Sequence, residues 1–196
     1  MNKNRFMNKF LLVLLFCVLG LVSCGDKNKI PTNEIHYTTL DNGVMPLENL
    51  FNFGEGRIVS NSYVQDKNLY ILKFDKEVTQ IWEGAFYGCS NLTSVSIPPS
   101  VTEIGRFAFS DCSNLTSISI PPSVTEIGRC AFSGCSSLTS ISIPPSVTEI
   151  GKFAFFGCSS LASISIPSSV TKIGDFAFEG CSSLTSISIP PYITKI

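Results

Sequence analysis

The chain has 196 residues, of which 44% are hydrophobic and only 15% are charged, and its formal net charge at pH 7 is −1. A charge this close to zero argues against the basic surface of nucleic-acid-binding proteins, so we expect no nucleic-acid partner. No long run of like charges indicates a disordered tail. The composition is typical of one compact extracellular module.

The first 24 residues have the pattern of an export signal. A basic stretch at residues 1–9 precedes an almost continuously apolar run at residues 10–22. This run is too short to span a bilayer but suits the hydrophobic region of a secretory signal. It ends in Leu21-Val22-Ser23-Cys24, which resembles a bacterial lipobox. The resemblance implies removal of residues 1–23 and acylation of Cys24, which would anchor the protein to a membrane; an ordinary signal peptide with a chance cysteine is the alternative.

Two segments separate this signal from the rest of the chain. Residues 24–34 are polar, and we interpret them as a tether that lifts the module off the membrane. Residues 35–68 contain aromatic side chains and turn residues, which predict short strands. We interpret them as an N-terminal cap, because the first coil of a repeat array exposes apolar interior unless an atypical segment covers it.

From Leu69 onward the chain repeats one 23-residue unit. A fixed period of this length predicts a leucine-rich repeat solenoid, mainly β, in which stacked coils place a parallel β-sheet on one face. The chain stops at Ile196 inside a sixth unit, so we expect either a piece of a longer array, which we favour, or an open edge that pairs with a partner. The copies begin at Leu69, Leu92, Leu115, Leu138, Leu161 and Leu184.

The unit at residues 115–137 shows how one coil should form. Its L-x-x-I-x-I segment predicts a short strand with the apolar positions inward, and Pro121-Pro122 ends that strand. We expect a turn at Gly128 and a left-handed residue at Gly134, whose position holds Asp111 one unit earlier. One phenylalanine position should stack its rings up the interior: Phe86, Phe109, Phe132, Phe155 and Phe178.

This unit resembles the BspA-like leucine-rich repeat, whose pattern is roughly L-x-x-I-x-I-P-x-x-V-x-x-I-G-x-x-A-F-x-x-C-x-x. The resemblance covers residues 69–196. It implies a surface or secreted protein of a bacterium. It further implies an adhesin or binding module and not an enzyme.

The cysteines of the repeats should be buried free thiols. Stacked copies would lie about 4.8 Å apart, close enough for a disulfide, but their Cβ vectors would be parallel and their number is odd. We expect no metal site, because converging cysteine pairs or histidines are lacking, and we interpret Cys130 as an apolar substitution at a phenylalanine position. The cysteines that occupy the same position of successive units are Cys89, Cys112, Cys135, Cys158 and Cys181.

No catalytic constellation is recognisable, and we expect no cofactor. The single histidine, His36, lies in the predicted cap, so no nucleophile and base can be assembled around the repeats. Glutamates recur at 103, 126 and 149, each with a cation three residues later, and the signs exchange at Lys172 and Asp175. We interpret this pattern as charge balancing on the surface.

The outward face of the strands should be an array of serine and threonine, which lacks the aromatic and arginine anchors that usually carry binding energy. We therefore place partner-binding residues at departures from the repeat, although scattered exposed residues without function would look the same. These candidates are Tyr70, Lys73, Tyr87, Phe156 and Tyr192.

The sequence thus predicts a lipid-anchored, exported module at the outer membrane or cell surface that binds an extracellular protein without catalysis. One alternative is a structural role, with copies associating end to end through the C-terminal edge. A second alternative is a glycan-binding accessory protein, for which only Trp82, Tyr70 and Tyr87 offer aromatic platforms.

Overall fold

A computed structural model describes residues 30–41, 43–45 and 56–193. The predicted signal peptide, Cys24 and most of the predicted tether lie outside the described residues. The described part is a mainly β solenoid of stacked coils, as the repeat predicts. Its helical content is one 3₁₀ turn, Gln65–Lys67, and no helix among the described residues has the length and apolarity to cross a membrane.

Each coil contributes two short extended segments, and same-phase segments pair along the solenoid. The second segment of each coil joins a parallel five-stranded sheet in the order β12-β10-β8-β6-β4. The strands are β1 (Glu34–Thr39), β2 (Ile58–Val64), β3 (Leu69–Phe74), β4 (Gln80–Ile81), β5 (Leu92–Ser96), β6 (Glu103–Ile104), β7 (Ser117–Ser119), β8 (Glu126–Ile127), β9 (Ser140–Ser142), β10 (Glu149–Ile150), β11 (Ser163–Ser165) and β12 (Lys172–Ile173).

The first segments of the coils form the other face, where the serine-rich strands pair in parallel. β5 pairs with β7 and β9 pairs with β11, each with a 23-residue offset such as Ser140↔Ser163. Their serine side chains face solvent from β7 onward, as expected for the outward positions. The parallel register of the repeats is therefore set by the period of the sequence.

An N-terminal strand is inserted between the first and second coils. β1 pairs antiparallel with β3 on one side and antiparallel with β5 on the other, giving the sheet order β2-β3-β1-β5-β7. Its apolar residues Ile35 and Tyr37 belong to the same core as the repeats. The segment therefore contributes to the solenoid sheet itself and does not only cover its end.

The interior is filled by columns of identical side chains. The rings of successive phenylalanines from Phe86 to Phe178 lie nearly parallel, with centroids 5.0 to 5.5 Å apart. Cysteine thiols run beside them, and the Sγ of Cys135 donates to the carbonyl of Phe109 at 3.1 Å. The same thiol-to-carbonyl bond recurs at Cys112, Cys158 and Cys181.

A glycine column allows the coils to approach each other closely. A Cβ at Gly151 would lie 2.5 Å from the backbone carbon of Gly128, and one at Gly128 would lie 2.8 Å from that of Gly105. The turn expected at Gly128 is present, since the Ala131 N–H donates to the Gly128 carbonyl at 3.2 Å. The position needs glycine for the close backbone approach and not for a left-handed conformation, because its φ is not positive. The positive φ falls at Gly134 and Asp111, as expected.

Serine hydroxyls bond each coil to the one before it. Ser123, Ser146 and Ser169 each donate to the carbonyl of the valine 22 residues earlier, at 2.5 to 2.8 Å. Threonine hydroxyls at residues 102, 125 and 148 donate in the same way to the preceding threonine carbonyl. Much of the serine and threonine content thus satisfies backbone carbonyls between coils.

We expect Phe132→Ala to lower the free energy of unfolding by about 3–5 kcal/mol, because it removes one fully buried ring from the stack and leaves a cavity. Urea unfolding of the purified chain measures this. Phe176→Ala is the control: its ring is 56% exposed, so the loss should not exceed about 1.5 kcal/mol, the value of one aromatic pair. Equal losses for the two variants would contradict the packing described here.

Candidate functional site

One surface turn of each coil has a residue in the left-handed backbone region. The position is held in successive coils by Gly84, Phe107, Cys130, Phe153 and Phe176, with φ between 55° and 68°. A side chain in this conformation costs about 1–2 kcal/mol, which glycine avoids. Because glycine and cysteine also occupy the position, an aromatic ring there is not needed to close the coil.

These phenylalanines, of which Phe107 and Phe153 are half-buried, form with their exposed neighbours a surface that we call the aromatic edge. The Phe153 ring stacks on Phe176 with centroids 5.2 Å apart and meets the edge of Phe156 at 5.7 Å. Tyr87 and Phe107 line one shallow pocket in the first two coils. Half of the Tyr87 side chain is exposed, as are 39% of Phe156 and 56% of Phe176. The aromatic edge comprises Tyr87, Phe107, Phe153, Phe156 and Phe176.

A column of cations runs beside the aromatic edge. The guanidinium of Arg106 lies 5.9 Å from the centroid of Phe107, and that of Arg129 lies 5.9 Å from Phe153. The Lys152 ammonium lies 5.3 Å from Phe153 and 5.7 Å from Phe176. Because ring faces attract cations, these contacts hold positive charge next to exposed rings. Arginine beside aromatic residues is the composition of energetic anchors in protein interfaces.

An open groove of about 420 Å³ separates this cationic column from an acidic one. Gly128, Gly151 and Gly174 line the groove between the two columns. The two charge columns are Glu103, Glu126, Glu149 and Lys172 on one side, and Arg106, Arg129, Lys152 and Asp175 on the other.

The ion pairs of the groove run between coils and not within one. Lys152 lies 2.9 Å from Asp175 of the next coil, and Lys172 pairs with Glu149 of the preceding coil. The sign exchange in that coil therefore gives the last charge of each column a partner of opposite sign. The expected charge balancing is present, and it acts along the solenoid axis.

Glu126 lies between two like charges. The amide of Gln80 donates to Glu103, and Lys172 pairs with Glu149, whereas the structure shows no such bond to Glu126 among the described residues. Partial burial and the carboxylates of Glu103 and Glu149 raise the pKa of Glu126 above its usual value, with Lys172 acting in the opposite direction. Repulsion along this column arises because the same charge is repeated at the same position of successive units.

The prediction that Tyr70 is an exposed binding residue is wrong. Tyr70 is only 4% exposed, and its ring stacks on Tyr37 with centroids 5.2 Å apart and lies tilted against Tyr63 at 5.0 Å. The sequence argument applied the L-x-x-I bend of the later units to residues 69–74. β3, however, pairs with β1 and β2 along its whole length, and it alternates strictly, which turns Tyr70 inward.

The other predicted binding residues are exposed but are not brought together. Lys73 lies on β3, 3.5 Å from the Glu34 carboxylate. Tyr192, 68% exposed, occupies the position at which Ser169 bonds to the preceding coil. Tyr87 and Phe156 belong to the aromatic edge, whereas Lys73 and Tyr192 do not.

Sequence reasoning missed Phe107, Phe153 and Phe176 as surface residues. It grouped them with Cys130 as apolar positions and assigned them no role. The sequence did contain a signal, since the motif Phe107-Ala108-Phe109 places two rings two residues apart. In the structure only the Phe109 ring is fully buried. The first ring of each such pair must then lie at the surface.

The described residues show no arrangement for covalent chemistry or metal binding. All six described cysteines are free and buried, and burial raises the pKa of Cys89 to about 11 and that of Cys135 to about 12. Neutral buried thiols are poor nucleophiles. His36 bonds to Glu34 at 3.2 Å, and within residues 30–41, 43–45 and 56–193 no group of three metal-ligating side chains occurs.

We expect Glu126→Gln to raise the melting temperature at pH 7. The folded state binds the Glu126 proton more tightly than the unfolded state, so its stabilising contribution is present below the ordinary value of 4.5 and is lost as pH rises through the raised pKa. Glutamine mimics the protonated form, so the difference from the parent should disappear at about pH 3.5. Thermal unfolding at both pH values tests this, with Glu179→Gln, a carboxylate that does not act on Glu126, as the control that gains nothing. An equal shift at both pH values would contradict the prediction.

The sequence matches a known family model. The model described as the BspA type leucine-rich repeat region matches six copies of the unit, over residues 56–159 and 108–196. No curated protein matches the chain. Proteins with this repeat are cell-surface or secreted proteins of bacteria, and the family and fold are typically non-enzymatic.

Solved structures of bacterial proteins share the fold. A leucine-rich cell surface protein from Faecalibacterium prausnitzii A2-165 is 44% identical, with 58% of this chain and 30% of that one covered and a TM-score of 0.56. A leucine-rich repeat protein from Eubacterium ventriosum ATCC 27560 is 33% identical, with coverages of 60% and 32% and a TM-score of 0.54. This chain therefore spans about a third of the length of either protein.

The leucine-rich repeat protein of T. pallidum is similar over more of both chains. It is 31% identical, the alignment covers 76% of this chain and 72% of that protein, and the TM-score is 0.59. The repeat model extends over the coils that the structure describes. The chain belongs to the BspA type leucine-rich repeat family.

Proposed function

We propose that this chain is an exported, lipid-anchored module that binds another protein at the bacterial surface by non-covalent contact through the aromatic edge. The observation that carries the proposal is the cluster of exposed rings and cations on a rigid solenoid. Large rings and arginines in contact are the residues that dominate binding energy in protein interfaces. Other exposed large apolar side chains of the described part, such as Leu40, Val59 and Ile189, lie outside this cluster.

The backbone at the aromatic edge supports this assignment. Phe107, Phe153 and Phe176 keep rings at left-handed positions where glycine would be free of strain. Strained residues that the fold does not need are a reason to infer function. Since Gly84 fills the same position without loss of the coil, the rings are best explained by what they contact outside the chain.

The edge favours a protein partner over a glycan. Sugars stack on open aromatic faces, but Phe153 and Phe176 stack on each other, and cations lie over both rings. The groups of the aromatic edge that remain accessible are ring edges and charged side chains, which suit the mixed polar and apolar surface of a protein. The glycan-binding alternative, which relied on Tyr70 and Tyr87, also loses Tyr70 to the core.

Membrane attachment is part of the proposal, and it rests on residues 21–24. Removal of residues 1–23 and acylation of Cys24 would fix the module to a membrane at its N-terminal side. More than one acyl chain is needed for a stable anchor.

Binding should depend on two rings that the fold does not need. Ser110 and Ser133 stand at the phase of Tyr87 and Phe156, so Tyr87→Ser and Phe156→Ser restore the repeat. With each anchor worth about 2 kcal/mol, the double variant should bind about a thousandfold more weakly to whichever extracellular-matrix protein binds the parent. Surface plasmon resonance against protein and glycan panels measures this.

The control for this experiment is Tyr192→Ser, which removes an even more exposed ring away from the aromatic edge. It should bind like the parent protein. Unchanged binding of the Tyr87→Ser, Phe156→Ser variant would reject the aromatic edge as the interface. Saturable binding to glycans alone would reject the protein-binding function.

Anchoring predicts a Cys24-dependent location. When expressed in a bacterium that processes lipoproteins, the parent should appear in the membrane fraction and incorporate labelled fatty acid, because acyl chains hold it there. Cys24→Ser should remove the label and release the protein from the membrane, whereas Cys17→Ser should change neither. Label retained in Cys24→Ser would contradict the anchor assignment.

A further inference from the structure

The first coil lacks the ring that later coils carry at the aromatic edge. Gly84 occupies the position of Phe107, Phe153 and Phe176, and a Cβ there would meet only the Tyr87 Cβ, at 3.8 Å. The space left is a pocket of about 410 Å³ lined by Glu83, Gly84, Tyr87 and Phe107. A missing side chain in a repeating column has therefore produced a concave site beside the ring of Phe107.

A second coil lacks the ring too, and there the chain fills the gap itself. Cys130 precedes Phe153 in the column, and the guanidinium of Arg129 lies over the Phe153 ring at 5.9 Å. Arg129 stands immediately before Cys130, as Glu83 stands immediately before Gly84. The two gaps therefore differ in the sign of the charge beside them.

That difference in charge explains why only one gap is open. The face of an aromatic ring is negative, so it attracts a guanidinium and repels a carboxylate. Glu83 consequently cannot cover Phe107 as Arg129 covers Phe153. The structure shows no ion pair for Glu83 within residues 30–41, 43–45 and 56–193. The lining of the pocket thus holds a carboxylate and two rings but no cation, and the guanidinium of Arg106, which lies 5.9 Å from the centroid of Phe107, is not part of that lining.

We propose that the pocket of Glu83, Gly84, Tyr87 and Phe107 binds an arginine side chain of the protein partner. The guanidinium would take the position over Phe107 that Arg129 takes over Phe153, and it would pair with Glu83. The partner in the proposed function must therefore present a basic side chain to this end of the aromatic edge. This inference rests on the proposed function.

Charge complementarity favours arginine over the other groups that could enter the pocket. A partner's aromatic ring could stack on Phe107 but would leave Glu83 without a counter-charge, and so would a neutral sugar. A planar guanidinium stacks on a ring and pairs with a carboxylate at once. An exposed cation–π contact and an exposed ion pair together amount to roughly a tenfold preference over a neutral group of the same shape.

The test uses N-acetyl-argininamide as the probe and N-acetyl-citrullinamide as its neutral counterpart of the same shape. Both are titrated into the purified full chain while the NMR signals of Gly84 and Tyr87 are followed. We expect saturable shifts with the arginine probe and roughly tenfold weaker binding of the citrulline probe. Equal affinities of the two probes, or no saturable shift, would overturn the proposal.

Three variants locate the probe. Glu83→Arg should abolish the shifts, because the new guanidinium can lie over Phe107 and fill the pocket as Arg129 fills its own gap. Glu83→Gln should weaken binding several-fold, whereas the control Glu179→Gln removes an equal charge elsewhere on the surface and should leave binding unchanged. Binding that survives in Glu83→Arg, or that falls equally in the control, would show that the probe binds elsewhere.

Failure of this site can be told apart from failure of the proposed function. If an extracellular protein binds the parent and depends on Tyr87 and Phe156, but the arginine probe does not discriminate, the arginine pocket is wrong and the aromatic edge stands. If the probe binds with the expected preference and no protein on the panel depends on the edge, the pocket stands and the proposed function is wrong.

Discussion

Each repeated position of this solenoid lies beside the same position of the neighbouring coil, and this constraint governs the rest of the structure. Coils stacked about 5 Å apart place same-phase residues in contact, so a residue type is tolerated only if it packs on itself. Phenylalanine does so by stacking, with centroids 5.0 to 5.5 Å apart. Glycine does so because a Cβ would lie within 2.9 Å of the preceding backbone. Serine does so by donating its hydroxyl to a carbonyl of the previous coil.

Charged residues meet this constraint least well, because stacking then brings like charges together. Partial burial and two neighbouring glutamates at the same position raise the pKa of Glu126, and the fifth coil reverses both signs so that its side chains pair with those of the fourth. The aromatic edge uses a different solution, since Arg129 and Lys152 lie over rings. The positions at which one coil differs from the next are therefore the positions at which the surface gains a distinct chemistry.

The sequence was sufficient for the repeated part of the fold and insufficient for its exceptions. Period and composition predicted the stacked coils, the phenylalanine column, the free buried cysteines and the left-handed position of Asp111, because identical units must pack alike. Tyr70 was predicted wrongly because β1, from outside the repeat, pairs with its strand and makes it alternate. No local pattern in residues 34–39 indicates insertion between two coils. Phe107, Phe153 and Phe176 were missed because apolar residues were assigned to the core without asking how many rings one turn can bury.

The inserted strand has a mechanical consequence. Under the proposed anchoring at Cys24, any pull on the protein enters the fold through residue 30 and reaches β1, which has hydrogen-bonded partners on both sides. Because the load runs along the strand, the bonds of two ladders must fail together and not one after another. A terminal coil attached by one edge would peel away bond by bond. Under that anchoring, the insertion of β1 would place two hydrogen-bonded ladders at the point of attachment.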